Sequence, residues 1–126
     1  MSETCILIVE PDVLVLNPLA EYLRECGYKV LEAFNANEAR QILATASISV
    51  QIVLADVDGA GNEGFALARE IRTNYPTIDV ILAGTIAKAA EKAGDLCEEG
   101  PDLAKPYDHR LLLDHIRRMR GRHQGG

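Results

Sequence analysis

The sequence has few of the features that mark exported, membrane-bound or zinc-stabilised proteins. Its three cysteines, Cys5, Cys26 and Cys97, are odd in number and form no CxxC pair, which argues against a disulfide framework and a zinc site. No apolar run approaches the roughly 20 residues that a membrane-spanning helix needs. Residues 1–4 lack the basic region of a signal peptide. We therefore expect a cytoplasmic protein without a membrane partner, in which the cysteines are buried thiols.

Positive charge is also scarce. The chain has 13 Lys and Arg against 19 Asp and Glu, which gives a formal net charge of -6. A chain of this sign is repelled by nucleic acid and by anionic lipid, so we expect no direct binding to nucleic acid. Residues 117–122 are rich in arginine, so this segment is positively charged although the chain as a whole is negative. We expect residues 121–126 to form a flexible tail of basic and glycine residues.

The 126 residues suffice for one domain, and short aliphatic runs alternate along them with segments of helical spacing. A continuous apolar run is typical of a strand that is covered on both faces. Such runs predict strands at 5–9, 28–33, 51–55 and 80–82, with a weak fifth strand at 103–104.

A helix is predicted after each strand. Pro18 leaves the start of the first helix open, because either Asn17 caps a shortened helix or an earlier start is kinked at the proline. Asn35 and Glu38 have capping-box spacing before the second helix. The other helices are predicted from the positions Phe65, Ala68 and Ile71, from residues 86–93 with Gly94 as the stop, and from Asp108 as the cap of a last helix that buries Leu112, Ile116 and Met119.

Strands that alternate with helices imply a parallel sheet covered on both faces, in which ligands bind beyond the carboxyl ends of the strands. Glu10, Asp12, Asp56, Asp58 and Lys105 follow the first, third and fifth strands. Helix capping alone explains any one of the acids, but together these residues predict an acidic cluster that faces one lysine. Such a cluster suits Mg²⁺, which favours phosphate as a further ligand, and the lysine can neutralise a phosphoryl oxygen.

Four segments and the order of elements resemble the receiver domain of two-component response regulators. The segments are Ile8-Val9-Glu10, Leu54-Ala55-Asp56, Gly61-Asn62-Glu63-Gly64 and Lys105-Pro106-Tyr107. The likeness runs from about Thr4 to Met119. It implies a flavodoxin-like (βα)5 fold with a doubly wound parallel five-stranded sheet of order 2-1-3-4-5, and a receiver domain over residues 1–120.

The resemblance also implies a role for each site residue. Asp56 would accept a phosphoryl group from a sensor histidine kinase or a histidine phosphotransfer protein. Mg²⁺ would be held by Asp56, Glu10 and the main-chain carbonyl of Asp58, while Lys105 would contact the phosphoryl group and precede Pro106 through a cis peptide bond. Such a domain is no enzyme beyond its own phosphorylation and slow dephosphorylation. It would switch binding to a downstream protein. The resemblance leaves open whether the domain forms a homodimer.

Three positions depart from the family pattern. Pro11 stands where the family has a second acid, so either a local shift brings Asp12 into that place or Glu10 serves as the only extra carboxylate. The hydroxyl residue expected after the fourth strand falls on Gly84 in the simplest alignment, with Thr85 one position later. Asp102 replaces the usual aromatic residue. These departures leave a degenerate receiver, which binds proteins without phosphorylation, as an alternative.

A second alternative comes from the third strand and the residues after it. Asp56-Val57-Asp58-Gly59 resembles the DxDG motif of haloacid-dehalogenase phosphatases, in which the first Asp attacks phosphate and the second is a general acid. The alternative is weakened by Ala60 after the glycine, and by Ala83-Gly84 where an acidic pair is required.

Overall fold

The computed structural model describes residues 4–45, 47–56, 63–100 and 108–124 of the chain. The strands within these ranges are β1 (Cys5–Val9), β2 (Lys29–Ala33), β3 (Ile52–Asp56) and β4 (Asp79–Ala83). The helices are α1 (Val13–Glu25), α2 (Ala36–Ala44), α3 (Glu63–Asn74), α4 (Ile86–Glu98) and α5 (His109–Gln124). No helix in these ranges combines the length and the apolar character that crossing a membrane requires.

The sheet confirms the predicted fold class. Its four strands are all parallel and lie in the order β2-β1-β3-β4, which matches the first four places of the predicted order. The predicted fifth strand at 103–104 and the predicted cis peptide bond between Lys105 and Pro106 lie outside the described residues.

Alternate side chains of the central strands belong to two separate cores, because successive residues of a strand face opposite sides of the sheet. Ile6 and Ile8 are buried with the inner faces of α1, α4 and α5. Leu7 and Val9 are buried with residues of α2 and α3. Both faces of β1 are therefore dry, and this explains its unbroken apolar run.

Helix α1 takes the earlier of the two starts that the sequence left open. Asp12 is its N-cap, and an oxygen of this carboxylate accepts a hydrogen bond from the Leu14 amide at 2.9 Å. Pro18 lies inside the helix and is buried. The cap ties the first turn of α1 to the end of β1, where the candidate site lies.

Helix α4 is longer than predicted, because Gly94 does not end it. The helix continues to Glu98, and a Cβ atom at position 94 would lie only 2.8 Å from the Cβ of His109. The glycine is required by the close approach of α5 to α4 rather than by a helix stop. The prediction of a short helix over 86–93 was wrong for this reason.

Helix α3 confirms the predicted third helix, but the residues that mark it in the sequence do not all face the core. Phe65 is 51% exposed, whereas Leu67, Ala68 and Ile71 are buried. The buried positions follow helical spacing from Gly64, and Phe65 lies off that stripe.

Two of the cysteines are paired, contrary to the expectation of three free thiols. A disulfide joins Cys26 to Cys97, with 5.3 Å between their Cα atoms and a sequence separation of 71. Cys26 caps the end of α1 and Cys97 lies in the last turn of α4, and these two helices pack side by side. Such a pairing depends on tertiary packing, which sequence spacing does not reveal. Cys5 is a buried free thiol, as expected.

Helix α5 starts after Asp108, whose carboxylate accepts a hydrogen bond from the Arg110 amide at 2.8 Å. Leu112 and Ile116 are fully buried. The helix runs through Gly121 to Gln124, so residues 121–124 are helical where the sequence predicted a flexible tail. Arg120, just before this extra turn, lies near the carboxyl edge of the sheet.

Candidate functional site

The strand register brings the site residues to one edge of the sheet. Val9 pairs with Ala55, and Asp56 pairs with Ala83 on the next strand. Parallel strands that end together present the residues after them at a common edge. Glu10 and Asp56 are therefore neighbours although they are 46 positions apart in the sequence.

A cavity of about 160 Å³ opens at this edge. It is lined by the acidic side chains Glu10, Asp12 and Asp56, by Thr85 and by Arg120. The structure thus brings together four of the residues that the sequence singled out. Asp58 and Lys105 lie outside the described residues.

Glu10 is the buried carboxyl group of the site, with only 7% of its surface exposed. Its Oε2 accepts a hydrogen bond from the Asp12 amide at 2.9 Å. Burial raises the pKa of Glu10 to about 7, and the negative charges of Asp56 and Asp12 add to this effect. The Asp12 amide and the Arg120 guanidinium oppose the rise in pKa. Near neutral pH, the Glu10 carboxyl group is therefore divided between its protonated and ionised forms.

Asp12 has a defined partner for each of its carboxylate oxygens. Oδ1 accepts the capping hydrogen bond from Leu14, and Oδ2 accepts a hydrogen bond from Nε of Arg120, at 2.9 Å in both cases. The guanidinium and the carboxylate are each about one-third exposed. Sequence reasoning missed Arg120, because the two residues lie 108 positions apart and the arginine reads as one of several in a basic terminal segment.

Two small residues with different surroundings, Gly84 and Thr85, follow the fourth strand. Thr85 is the N-cap of α4, and its Oγ1 accepts a hydrogen bond from the Lys88 amide at 3.0 Å. A Cβ atom added at Gly84 would meet no atom within 4 Å. The hydroxyl group that lines the cavity is thus the one from Thr85, and position 84 has room for a side chain.

The acidic residues offer a sparse set of metal ligands. Within the described part of the chain, no three His, Cys, Asp or Glu side chains form a group that could hold a metal ion. Pro11 supplies no ligand, and both oxygens of Asp12 are engaged. Glu10 and Asp56 are two further carboxyl groups that line the same cavity. This set fits Mg²⁺, which is commonly held by one or two carboxylates together with waters and a phosphate.

The comparisons with known sequences all point to one protein family. Residues 6–117 match the response regulator receiver domain. The chain is 32% identical to the response regulator protein FleR of Pseudomonas aeruginosa over 115 residues, which is 90% of this chain and 24% of FleR. It is 32% identical to the aerobic respiration control protein ArcA of Escherichia coli over 124 residues, which is 97% of this chain and 50% of ArcA. The chain thus spans between a quarter and a half of these relatives.

Comparison with solved structures agrees with the sequence matches. A signal receiver domain of an HD domain-containing protein from Pseudomonas fluorescens is 25% identical, with a TM-score of 0.60 and coverage of 99% of this chain and 100% of that one. The MaeR response regulator bound to beryllium trifluoride is 29% identical, with a TM-score of 0.55 and coverage of 94% and 98%. The family match covers most of the chain, and the parallel sheet and its acidic edge agree with it. The chain belongs to the receiver domain family of two-component response regulators.

Proposed function

We propose that Asp56 accepts a phosphoryl group from a phosphohistidine of a sensor histidine kinase or of a histidine phosphotransfer protein. The observation that carries this proposal is the cavity at the end of β3, where Asp56 lies beside Glu10 and Thr85. A carboxylate oxygen of Asp56 attacks phosphorus in line with the P–N bond, that bond breaks, and the imidazole leaves with the electron pair. An ionised carboxylate needs no general base for this attack.

Mg²⁺ is the cofactor that the donor set favours, with Glu10 and Asp56 as its protein ligands. When bound, the ion neutralises charge on the transferring phosphoryl oxygens. The main-chain carbonyl of Asp58 completes the proposed metal site, and Lys105 contacts the phosphoryl group. These last two assignments rest on the family pattern, because both residues lie outside the described residues.

Thr85 is the proposed hydroxyl contact of the phosphoryl group. Its Oγ1 accepts from the Lys88 amide, and a hydroxyl group can donate one hydrogen bond while it accepts another. Thr85 can therefore donate to a phosphoryl oxygen without losing its capping bond. This contact would join phosphorylation to the first turn of α4, and a preference of about 1–3 kcal/mol between two loop arrangements suffices for a switch.

The proposed output is a change in binding to a downstream protein, in a domain without turnover of its own. We place this function in the cytoplasm, where the kinase domains that supply the phosphoryl group are expected. Reduced thiols predominate in that compartment, whereas the structure pairs Cys26 with Cys97. Trapping of free thiols in cells tests the location, because an intact disulfide there would contradict it. The haloacid-dehalogenase alternative is not retained, because the family match covers the DxDG segment.

A degenerate receiver is the second candidate function. Its support is the engagement of Asp12 by Arg120 together with Pro11 at the second acidic position, which leaves few carboxylates for a metal. In this case the same fold would bind a partner without phosphorylation. The two candidates differ in one measurable property, which is whether Asp56 takes up phosphate.

The test is incubation with acetyl phosphate and Mg²⁺, followed by intact-mass measurement. We expect an adduct of about 80 Da in the wild type, and none in Asp56→Asn or in EDTA. Asp79→Asn is the matched control, because Asp79 is an exposed residue at the opposite end of β4, and it should be modified like the wild type. Absence of the adduct from the wild type would favour the degenerate receiver. Beryllium trifluoride, which is bound by MaeR, provides a second probe of the same pocket.

A further inference from the structure

We propose that the Arg120 guanidinium competes with the divalent cation of the site, so that binding of the cation releases the last turn of α5. This inference rests on the proposed metal site. Its starting point is the bond between Arg120 and Asp12, which joins the C-terminal part of α5 to the N-cap of α1 at 2.9 Å. Arg120 lines the same cavity as Glu10 and Asp56.

The hydrogen bond between Arg120 and Asp12 and a bound divalent cation interfere with each other. Asp12 already gives one carboxylate oxygen to the Leu14 amide and the other to Arg120. If Asp12 becomes a metal ligand, it must give up or share the oxygen that Arg120 holds. If Asp12 stays where it is, a divalent ion in a cavity of about 160 Å³ still lies close to the guanidinium, and like charges at such range repel. In either arrangement, Arg120 lowers the affinity of the site for the metal ion.

The extension of α5 is what places the arginine there. The helix does not stop before Gly121 but continues to Gln124, so Arg120 is held in helical geometry at the edge of the cavity. The neighbouring Arg118 forms an i,i+4 ion pair with Asp114 on the helix surface instead. Arg120 thus lines the site, and Arg118 is a matched control.

Coupling between two ligands of one site is reciprocal. If Arg120 weakens the binding of the metal, the metal must weaken the hold of Arg120 on Asp12 by the same factor. Occupancy of the site is then reported at the last turn of α5, far along the chain from Asp56. This route of communication is separate from the proposed contact through Thr85 and α4.

The test compares Mg²⁺ titrations of the wild type, Arg120→Gln, Arg120→Lys and Arg118→Gln, followed by the amide resonances of Glu10 and of residues 12–14. An ion pair that is one-third exposed contributes modestly, so we expect Arg120→Gln to bind Mg²⁺ about two- to fivefold more tightly. Arg120→Lys keeps the positive charge and should bind nearly as the wild type does. Arg118→Gln should match the wild type.

A second readout follows the helix itself. Amide hydrogen exchange of residues 117–124 should become faster when Mg²⁺ is added to the wild type, and should not respond in Arg120→Gln. An unchanged or weaker affinity in Arg120→Gln overturns the proposal, and so does the absence of Mg²⁺ binding in all four proteins. No phosphodonor is present, so a failure of Asp56 to accept phosphate would leave these outcomes unaffected.

Discussion

Glu10 accepts a hydrogen bond at 2.9 Å from the backbone amide of Asp12, two residues further along the chain. This bond holds a buried carboxyl group against the acidic residue that caps α1. Asp56 shares the cavity with both. Three acidic side chains therefore line a cavity that the Arg120 guanidinium also lines, and several measurable properties depend on these charges.

The first property is the pH dependence of stability in metal-free protein. Because the pKa of Glu10 is raised from 4.5 to about 7 in the folded chain, the folded state binds more protons than the unfolded state between these values. The contribution of Glu10 is thus fully present below about pH 4.5 and is lost as the pH rises through about 7.

Glu10→Gln removes this dependence. We expect the variant to be more stable than the wild type at pH 8 by about 1–3 kcal/mol, and to lose most of that advantage at pH 4. Urea unfolding in EDTA at the two pH values measures the difference. An advantage of the same size at both pH values would show that Glu10 does not titrate as stated.

The second property is the affinity for Mg²⁺, which we expect Pro11 to limit. Pro11 lines the cavity beside Glu10 and Asp12 and is exposed. Pro11→Asp adds a carboxylate oxygen at the position where the family has a second acid. We expect Mg²⁺ to bind about tenfold more tightly, which corresponds to roughly 1.4 kcal/mol.

Pro11→Asn is the control for this substitution, because it also removes the proline ring but adds no charge. It should bind Mg²⁺ nearly as the wild type does. Equal gains in both variants would show that release of the ring, and not the new carboxylate, is responsible.

Two glycines in helices test the packing of α5. At Gly94 a Cβ atom would clash with His109, whereas at Gly121 it would meet no atom within 4 Å. Gly94→Ala should lower the free energy of unfolding by about 1–3 kcal/mol through overpacking. Gly121→Ala should raise it by up to about 1 kcal/mol through helix propensity. Thermal unfolding of the two variants gives the comparison, and a gain in stability for Gly94→Ala would contradict the close approach of α4 and α5.

The disulfide between Cys26 and Cys97 tests the contact between α1 and α4. It closes a loop over a separation of 71 residues, so its reduction should cost about 2–4 kcal/mol of unfolding free energy. The double variant Cys26→Ala, Cys97→Ala should not respond to a phosphine reductant. Three reactive thiols in the unreduced, denatured wild type would show that the bond does not form.

The central strands β1 and β3 were predictable because they are buried on both faces. The unbroken apolar run before Glu10 and the run before Asp56 mark β1 and β3 directly, and the acids after them mark the carboxyl edge of the sheet. The family pattern then assigned their roles. These predictions depend on local residue patterns, which a sequence displays without its fold.

Other features depend on how distant segments meet. From the sequence alone, Gly94 is interpreted as a helix stop, and only the structure shows His109 beside it. Likewise, the sequence does not relate Cys26 to Cys97, and only the packing of α1 against α4 brings them together. Arg120 is the clearest case, because its contact with Asp12 joins opposite ends of the chain. The roles assigned to Asp58 and Lys105 remain predictions.

The central claim is that Asp56 is the residue that carries the phosphoryl group, and its most direct test is to locate the modification. After treatment with acetyl phosphate and Mg²⁺, borohydride reduction converts an aspartyl phosphate to homoserine, which peptide mass spectrometry places in the sequence. We expect homoserine at position 56 and at no other aspartate. Homoserine at position 12 or 58 instead, or its absence from the whole chain, would contradict the account.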